Sequence, residues 1–531
     1  MNLNTGKSVL FNGKKNILWG AGREGKRTLI NFILQGIYVD FIVDSDPDKQ
    51  GLRLLNKKII SPDQLYALGG DCNIVIATNI KENISQIKKN LYENGFEGES
   101  VLGCDMKQDF FTYGINPSSL YMILDLSKQS CQPKRIIIYG ADIDAARIGF
   151  ILDQIDVDIA YFVDEEKIGE TLCHRPVKSI YDILEERTDD YLVIIPTLND
   201  RYAKQMETIG LSYGKDYIYW ENNGYNFDMQ KEYVLDPFLG YNFIAEDEHL
   251  PGFKVFGKKD AKLKIVTLGG STTDPCLYAF QCWSELLYKK LIEYGIDACV
   301  FCGGCAAYKS SQELIKLLRD VIPLRPDIVL DYTGVNDSAV TNSEDAFVND
   351  YQVQLFQYLS DFVPTVQNGF IGKQTNRFVC GIKNHAPSWK QFEVNIRYMK
   401  ILCEEQGIQY LAFLQPALPI KEKISTAERE LVLNTDLFFP SPLLECVRTF
   451  YSKKKDLCMY MIDLTHIFDD RDVYLDMCHV TEKGNDIIAD AILKELEIRG
   501  ILQKWLQQRK QMVCAQAVNE NELCKDARSV K

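Results

Sequence analysis

Four short polar blocks in the second half of the chain carry the residue types needed for acyl transfer. Ser271 lies in Gly-Gly-Ser-Thr-Thr, directly after the mostly apolar run 263–268. The blocks Gly303-Gly304, Gly334-Val335-Asn336-Asp337 and Asp476-Met477-Cys478-His479 follow in that order. A serine between a buried strand and a new helix is a typical position for a nucleophile. The order therefore predicts a nucleophile, oxyanion donors and an acid–base pair.

Each block has a defined chemical role in such a site. A neutral serine hydroxyl is a poor nucleophile, so a base must accept its proton during attack. His479 is the candidate base, because an imidazole pKa of about 6.5 lets it accept and return a proton near neutrality. Asp476 is placed to orient that ring and stabilise the imidazolium. The N–H of Ser271, the N–H of Gly304 (or of Gly303) and the side-chain amide of Asn336 would stabilise the oxyanion.

Other interpretations of the same residues remain open at this point. Ser271 could cap the following helix, since serine is a favoured N-cap residue. Asn336-Asp337 could form an ordinary turn, and His479 could be a surface residue. A second Asp-x-x-His, Asp463 to His466, follows the predicted strand 458–463 but lacks a helix start after it, so we rank it below Asp476 and His479.

A run of three cysteines, Cys299-x-x-Cys302-x-x-Cys305, has a spacing that metal ligands can have. It lacks a fourth ligand nearby, and small thiols packed under the loop explain it better than a metal does. We expect no metal, and the ester chemistry requires no cofactor.

The four blocks together resemble the SGNH (GDSL-like) hydrolases, a flavodoxin-like α/β family of esterases, lipases, deacetylases and some acyltransferases. The resemblance implies a serine esterase that cleaves an acyl ester, for instance an O-acetyl group on a glycan or nucleotide sugar, through an acyl-enzyme on Ser271. The same site could instead transfer the acyl group to a sugar hydroxyl. Cys302 replaces an asparagine usual in the family and Ala307 a glycine, which leaves Gly303 or Gly304 as the oxyanion glycine.

The elements that must position these blocks alternate between strands and helices. Strands are predicted at 263–268, 296–302, 328–333, 409–414 and 458–463, and helices at 278–294, 310–321, 388–406 and 482–498. The polar and aromatic region 341–387 is longer than a crossover needs, and is either a lid over the site or a helical insertion with its own core.

The first half of the chain contains an internal duplication. A short strand enters a glycine turn at Gly20 and again at Gly140, and a later strand ends in Asp44 and again in Asp164. The two glycines are 120 residues apart, and so are the two aspartates. Short apolar strands that alternate with helices predict two parallel-sheet α/β domains.

The two copies differ at the glycine turn. The first has Gly20-x-Gly22-x-x-Gly25 between a strand and a helix, a pattern that lets backbone N–H groups approach phosphate, with Asp44 about where a ribose-binding acid would lie. This favours a nucleotide or nucleotide-sugar site, and the alternative is that the glycines only close a tight turn. The second copy has Asp142 and Asp144 in the turn, which would repel phosphate, so a packing or dimerisation module is expected there unless it binds a neutral ligand.

Both copies resemble the small Rossmann-like domains that precede sugar-modifying domains in bacterial glycan pathways. The residues concerned are Gly-Ala-Gly-x-x-Gly, Phe-Ile-Val-Asp44-x-Asp46, Gly51 and Ile60-Ser61-Pro62, and the resemblance covers roughly 14–100 and 133–220. The resemblance places the catalytic half in a glycan-handling protein. A nucleotide-sugar binding protein with a degenerate serine site is a second alternative function.

Composition limits the class of protein. The chain has 531 residues, 46% of them hydrophobic and 25% charged, with a net charge of −14. The acidic balance argues against a nucleic-acid partner, and no stretch approaches the roughly 18 apolar residues of a membrane span. Sixteen cysteines without a signal sequence indicate free thiols and a cytoplasmic protein, which could be a homo-oligomer.

The predicted domains are 1–125 and 126–224 (Rossmann-like), 225–262 (lead-in linker), 263–502 (SGNH hydrolase) and 503–531 (polar tail).

Overall fold

The described residues form an α/β structure with three six-stranded, mostly parallel sheets and one two-stranded hairpin, which confirms the predicted fold class. The computed structural model describes residues 13–103, 134–338 and 388–505, except 70, 79, 97–100, 186–190, 197–199, 214, 215, 221–231, 245, 246, 248, 278, 279, 436–440 and 504. It divides into two compact units, Met1–Phe227 with Ser425–Phe439, and Asp228–Ile424 with Pro440–Lys531. Among the described residues, helices lack the length and apolar character required to cross a membrane.

The first unit contains two sheets with the same strand order, as the internal duplication predicts. The first sheet runs β3-β4-β2-β1-β5-β6 and the second β9-β10-β8-β7-β11-β12. All neighbours pair in parallel except β3 with β4 and β9 with β10. The strands are β1 Lys15–Trp19, β2 Phe41–Val43, β3 Arg53–Leu54, β4 Lys57–Ile60, β5 Cys72–Ile76, β6 Val101–Gly103, β7 Arg135–Tyr139, β8 Ile159–Val163, β9 Thr171–Leu172, β10 Arg175–Lys178, β11 Tyr191–Ile195 and β12 Tyr217–Tyr219.

Short helices connect the strands of these two sheets. Ser61 begins one of them with a capping box, in which its hydroxyl accepts from the Gln64 N–H and the Gln64 side chain accepts from the Ser61 N–H. The helices of this unit are Arg23–Leu34, Pro62–Leu68, Lys81–Glu93, Ile143–Gln154, the 3₁₀ turn Ile180–Glu185, Asp200–Thr208 and Thr426–Thr435.

The second unit is built on one mostly parallel sheet. Its strands are β15 Lys254–Phe256, β16 Leu263–Gly269, β17 Ala298–Cys302, β18 Ile328–Thr333, β19 Gln409–Leu414 and β20 Met461–Asp463, in the order β15-β17-β16-β18-β19-β20. The five parallel strands from β17 to β20 therefore have the flavodoxin-like order 2-1-3-4-5. β15 adds an antiparallel edge strand to β17.

The helices of this unit follow the predicted alternation. They are Trp283–Glu293, Ser310–Lys316, the π-helical turn Leu317–Val321, Ile322–Leu324, Val335–Ser338, Ser388–Glu405, the 3₁₀ turn Leu418–Ile420, Ser441–Tyr451, Lys454–Leu457 and Glu482–Ile498. The strand predicted at 458–463 is shorter than expected because residues 454–457 form a helical turn before it. The predicted lid or insertion at 341–387 lies outside the described residues.

The predicted lead-in 225–262 contains strands of its own. β13 (Glu232–Asp236) and β14 (Gly240–Ile244) form an antiparallel hairpin, with Asp236 opposite Gly240 at its turn. β15 then joins the main sheet. The remaining predicted domain boundaries stay predictions.

Candidate active site

The sheet brings the predicted nucleophile and the predicted Asn336 to the same edge. Ser271 follows β16 and Asn336 follows β18, and these two strands are neighbours in the sheet. In a 2-1-3-4-5 sheet, a crevice forms outside the carboxyl ends of these two strands, because the order of the strands along the sheet reverses between them. The turn requires glycine at 269, since φ is +146° and a Cβ there would lie 2.4 Å from the Tyr332 carbonyl oxygen.

Ser271, His479 and Asp476 form a continuous hydrogen-bonded chain. His479 Nε2 lies 2.7 Å from Ser271 Oγ, and His479 Nδ1 lies 2.6 Å from Asp476 Oδ2. The second oxygen of Asp476 accepts the backbone N–H groups of Cys478 at 2.9 Å and His479 at 2.8 Å. The carboxylate is therefore fixed, and it fixes the imidazole with Nε2 directed at the serine.

Burial and charge set the protonation of this pair. Burial raises the pKa of Asp476, but the adjacent His479 outweighs it and holds that pKa below its ordinary value. Burial lowers the pKa of His479, but Asp476, and after it Cys478, outweigh this effect and raise that pKa well above its ordinary value. The pair thus favours a carboxylate beside an imidazolium, and the neutral base form of His479 forms only at pH values above the raised pKa.

Two candidate oxyanion donors lie beside the serine turn. Gly303 donates its N–H to the Thr267 carbonyl at 2.8 Å, which continues the ladder between β17 and β16. The Gly304 N–H lies near the Cys302 thiol, whose sulfur is a weak acceptor. Gly304 also packs so closely on Thr273 that a Cβ would come within 2.5 Å of the Thr273 Cβ. Of the two glycines, Gly304 therefore has the more available N–H.

A hydrogen bond fixes the side-chain amide of Asn336 beside the serine turn. Its Nδ2 donates to the Tyr308 carbonyl at 2.8 Å, and a Cβ on Gly270 would lie 2.3 Å from that nitrogen. An amide nitrogen carries two hydrogens, so this bond fixes the amide while the second hydrogen can serve an oxyanion.

One residue that sequence analysis missed connects the two loops of the site. Asp274 is buried, and its carboxylate accepts the Cys276 N–H at 3.0 Å and the Ala306 N–H at 2.9 Å. It therefore links the turn that carries Ser271 to the loop that carries Gly304. An acid three residues after the nucleophile was the only signal available in the sequence.

The second Asp-x-x-His lies in a different environment. His466 is 46% exposed, its Nδ1 lies 2.8 Å from Asp469 and its Nε2 lies 2.6 Å from the Lys454 ammonium. Asp463 pairs instead with Thr465 and Lys454. Both nitrogens of His466 thus have partners other than a nucleophile.

The three cysteines of the 299–305 run do not share one site. Cys299 and Cys302 lie three residues apart on β17, so their side chains point to opposite faces of the sheet. Cys302 Sγ donates to the Thr273 carbonyl at 3.1 Å. Within the described ranges, the only three His, Cys, Asp or Glu side chains close enough to share a metal ion are Asp476, Cys478 and His479, of which the first and last already belong to the hydrogen-bonded chain.

The serine opens into a small pocket of about 310 Å³, open solvent at its mouth included. Ser271, Thr272, Asp274 and His479 form its polar side, and Phe280, Cys282, Val480 and Asn485 complete the lining.

The first unit brings Asp44, which follows β2, to the turn that contains Gly20 and Gly22, and Gly25 lies in the first turn of the helix Arg23–Leu34 that comes next. A Cβ on Gly25 would lie 1.8 Å from the Gly20 carbonyl oxygen, so this glycine is required for the close approach of helix and strand. Asp44 accepts the Ala21 N–H at 2.7 Å and so closes the turn itself. Gly22 begins the helix Arg23–Leu34 without a side-chain cap.

The second copy of this turn is closed differently. Asp164 accepts the Ala141 N–H at 3.1 Å, just as Asp44 accepts the Ala21 N–H in the first copy. Asp142, however, caps the helix Ile143–Gln154 by accepting the N–H groups of Asp144 and Ala145. Its carboxylate therefore occupies the helix N-terminus where a phosphate would bind.

Comparison with known proteins gives one match to a family and several similar structures. The family described as C2185-like, N-terminal, matches residues 12–102. No curated protein matches the chain. The acetyl xylan esterase AlAXEase is 18% identical, over 44% of this chain and 100% of its own, with a TM-score of 0.26. Axe2, an acetylxylan esterase from Geobacillus stearothermophilus, is 14% identical, over 44% and 94%, with a TM-score of 0.27. LAE5, an alpha/beta hydrolase from the metagenome of Lake Arreo, Spain, is 16% identical, over 45% and 95%, with a TM-score of 0.26. At such identities and TM-scores these likenesses carry no functional assignment, which rests on the geometry of the site alone.

Proposed function

We propose that the second unit is a serine esterase of the SGNH type, and that its substrate is a short acyl ester such as an O-acetyl group on a glycan or nucleotide sugar. The observation that carries the proposal is the hydrogen-bonded chain from Ser271 through His479 to Asp476, at 2.7 and 2.6 Å. Three residues separated by up to 208 positions meet at distances suited to proton transfer.

The reaction follows from the order of these contacts. His479 Nε2 accepts the Ser271 proton while Oγ attacks the ester carbonyl, and Asp476 stabilises the resulting imidazolium. The N–H groups of Ser271 and Gly304 and the Asn336 amide donate hydrogen bonds to the carbonyl oxygen and stabilise the negative charge that develops on it. His479 then protonates the leaving alcohol, and the acyl group stays on Ser271. Water repeats the sequence, releases the carboxylic acid and restores the serine.

Transfer to a sugar hydroxyl is the alternative reaction at the same site. A hydroxyl of the acceptor would replace water in the second step, and no residue of the chain would change its role. Incubation with an acyl donor and candidate sugars, followed by mass analysis, separates the two. A dominant acylated sugar would indicate transfer, and free acid would indicate hydrolysis. If the serine site is degenerate, neither product forms, and nucleotide-sugar binding alone is the remaining function.

We also propose that the uncapped turn at Gly20 and Gly22 binds the phosphate of a nucleotide or nucleotide sugar. Support comes from the contrast between the two copies, since Asp142 caps the corresponding helix N-terminus in the second, whereas Gly22 has no side-chain cap among the described residues in the first. A thermal-shift screen of nucleotides and nucleotide sugars tests this. A shift that Gly22→Asp abolishes is expected, and no shift with any of them would leave the glycines with a structural role only.

Esterase activity is tested with p-nitrophenyl acetate. Wild-type protein should release nitrophenolate, and Ser271→Ala should not. Folded wild-type protein without turnover would contradict both enzyme proposals. The cytoplasmic location, the absence of a nucleic-acid partner and the homo-oligomer remain expectations from sequence.

A further inference from the structure

The hairpin before the main sheet contacts the loop that carries the candidate oxyanion glycine. Tyr241, on β14, donates its hydroxyl to the Ala306 carbonyl at 2.5 Å. Tyr308 returns a hydrogen bond of the same length to the Tyr241 carbonyl. The two rings lie 5.7 Å apart, so two hydrogen bonds and one ring contact join residues 65 and 67 positions apart in sequence.

Buried residues extend this contact beneath the loop. Leu239 and Phe243 of the hairpin form one apolar cluster with Cys276, Cys305 and Tyr308. The cluster therefore includes the hairpin, the chain just after the nucleophile turn and the candidate oxyanion loop. Its members are fully or almost fully buried, so the hairpin contributes to a small apolar core of its own with these loops.

Two charged side chains fasten the hairpin to the helical segment that follows the loop. Arg319 binds Asp236 in a bidentate ion pair at 2.7 and 2.8 Å. Lys316 is fully buried and donates to Asn242 Oδ1 of the hairpin at 3.4 Å and to the Gly252 carbonyl at 2.7 Å. Its ammonium also lies 4.8 Å from the centre of the Phe253 ring and 5.6 Å from that of Tyr308.

The loop itself needs such support. Ala307 has φ of +59°, a left-handed conformation that residues other than glycine rarely adopt. Its neighbour Ala306 is held at both polar groups, since its N–H donates to Asp274 and its carbonyl accepts from Tyr241. The Tyr241 hydroxyl therefore contacts the loop one residue before the strained position and two residues after Gly304.

We infer that the hairpin β13–β14 is a positioning element of the active site, and that Tyr241 is the residue through which it sets the oxyanion loop. Tyr241 acts through Ala306 and does not touch the reacting atoms. This inference rests on the proposed esterase function. It predicts that loosening the loop weakens stabilisation of the transition state more than binding of the ester.

The test compares Tyr241→Phe with wild type and with Tyr398→Phe, a variant of an exposed tyrosine far along the chain on the helix Ser388–Glu405. Tyr241→Phe retains the ring in the cluster and removes only the hydroxyl. With p-nitrophenyl acetate, kcat should fall about 10- to 100-fold, as for a displaced oxyanion donor, while KM changes little. The pH at which activity appears should not move, because His479 is untouched. Amide hydrogen exchange across residues 303–308 should accelerate.

The outcomes separate the two proposals. Wild-type kcat in Tyr241→Phe, or unchanged exchange across 303–308, would overturn the role of the hairpin. If wild-type protein shows no turnover that depends on Ser271, the esterase proposal fails. Amide hydrogen exchange across residues 303–308 then tests by itself whether Tyr241 positions the loop. Tyr398→Phe should match wild type in every measurement.

Discussion

Replacing Asp476 with asparagine tests the electrostatic coupling in the site. Asp476→Asn retains the shape of the side chain but removes the charge that lies 2.6 Å from His479 Nδ1. Two unit charges about 4 Å apart interact by about 4 kcal/mol at the effective dielectric of ~20 that suits protein sites. Since about 1.4 kcal/mol corresponds to tenfold in rate, kcat should fall by about 10³-fold. An asparagine that stabilises the wrong imidazole tautomer would add to this loss.

The pH dependence should change together with the rate. In the wild-type protein Asp476 raises the pKa of His479 well above its ordinary value, so activity requires the base form and disappears as pH falls through that raised pKa. In Asp476→Asn the largest cause of the raised His479 pKa is gone, and burial, which lowers that pKa, remains. The acidic limb of kcat/KM for p-nitrophenyl acetate should therefore move to lower pH. Activity within tenfold of wild type, or an acidic limb that stays in place, would refute the proposed coupling.

Three further substitutions test the assignments of individual residues. His466→Ala should retain wild-type turnover, because Nδ1 of His466 contacts Asp469 and Nε2 contacts Lys454. A loss above tenfold would mean that His466, and not His479, is the base. Gly25→Ala should lower the melting temperature of the protein, because its Cβ would lie 1.8 Å from the Gly20 carbonyl oxygen, and overpacking typically costs about 1–3 kcal/mol. Gly22→Ala is the matched control, since a Cβ there meets nothing within 4 Å, and equal stability of the two variants would contradict the packing account.

Much of the second unit could be predicted because its strands are buried on both faces. Such strands are continuous apolar runs, so β16, β18 and β19 are found within one residue of their predicted bounds. The helix Glu482–Ile498 has its predicted bounds because Thr481, just before it, accepts the Gly484 N–H and caps it. Local signals of this kind are visible in sequence.

The parts that sequence analysis left open depend on contacts between distant residues. The strand register commits the Gly303 N–H to Thr267, and a glycine pair alone does not reveal which of its members is engaged. The hairpin β13–β14 has polar residues such as Glu232 and Asn242 within it, and its partner Ala306 lies 65 positions from Tyr241, so no local pattern predicts their contact. Asp44 could likewise be placed at a strand end but not assigned to the Ala21 N–H.

Covalent labelling of the nucleophile tests the central claim most directly. A fluorophosphonate probe should add one label to the wild-type protein, and peptide mapping should locate it on Ser271, because His479 Nε2 lies 2.7 Å from that hydroxyl and can accept its proton. Labelling should be lost in Ser271→Ala and should be slow in His479→Ala, while His466→Ala should label at the wild-type rate. Folded wild-type protein that stays unlabelled, or a label on another serine, would contradict the account.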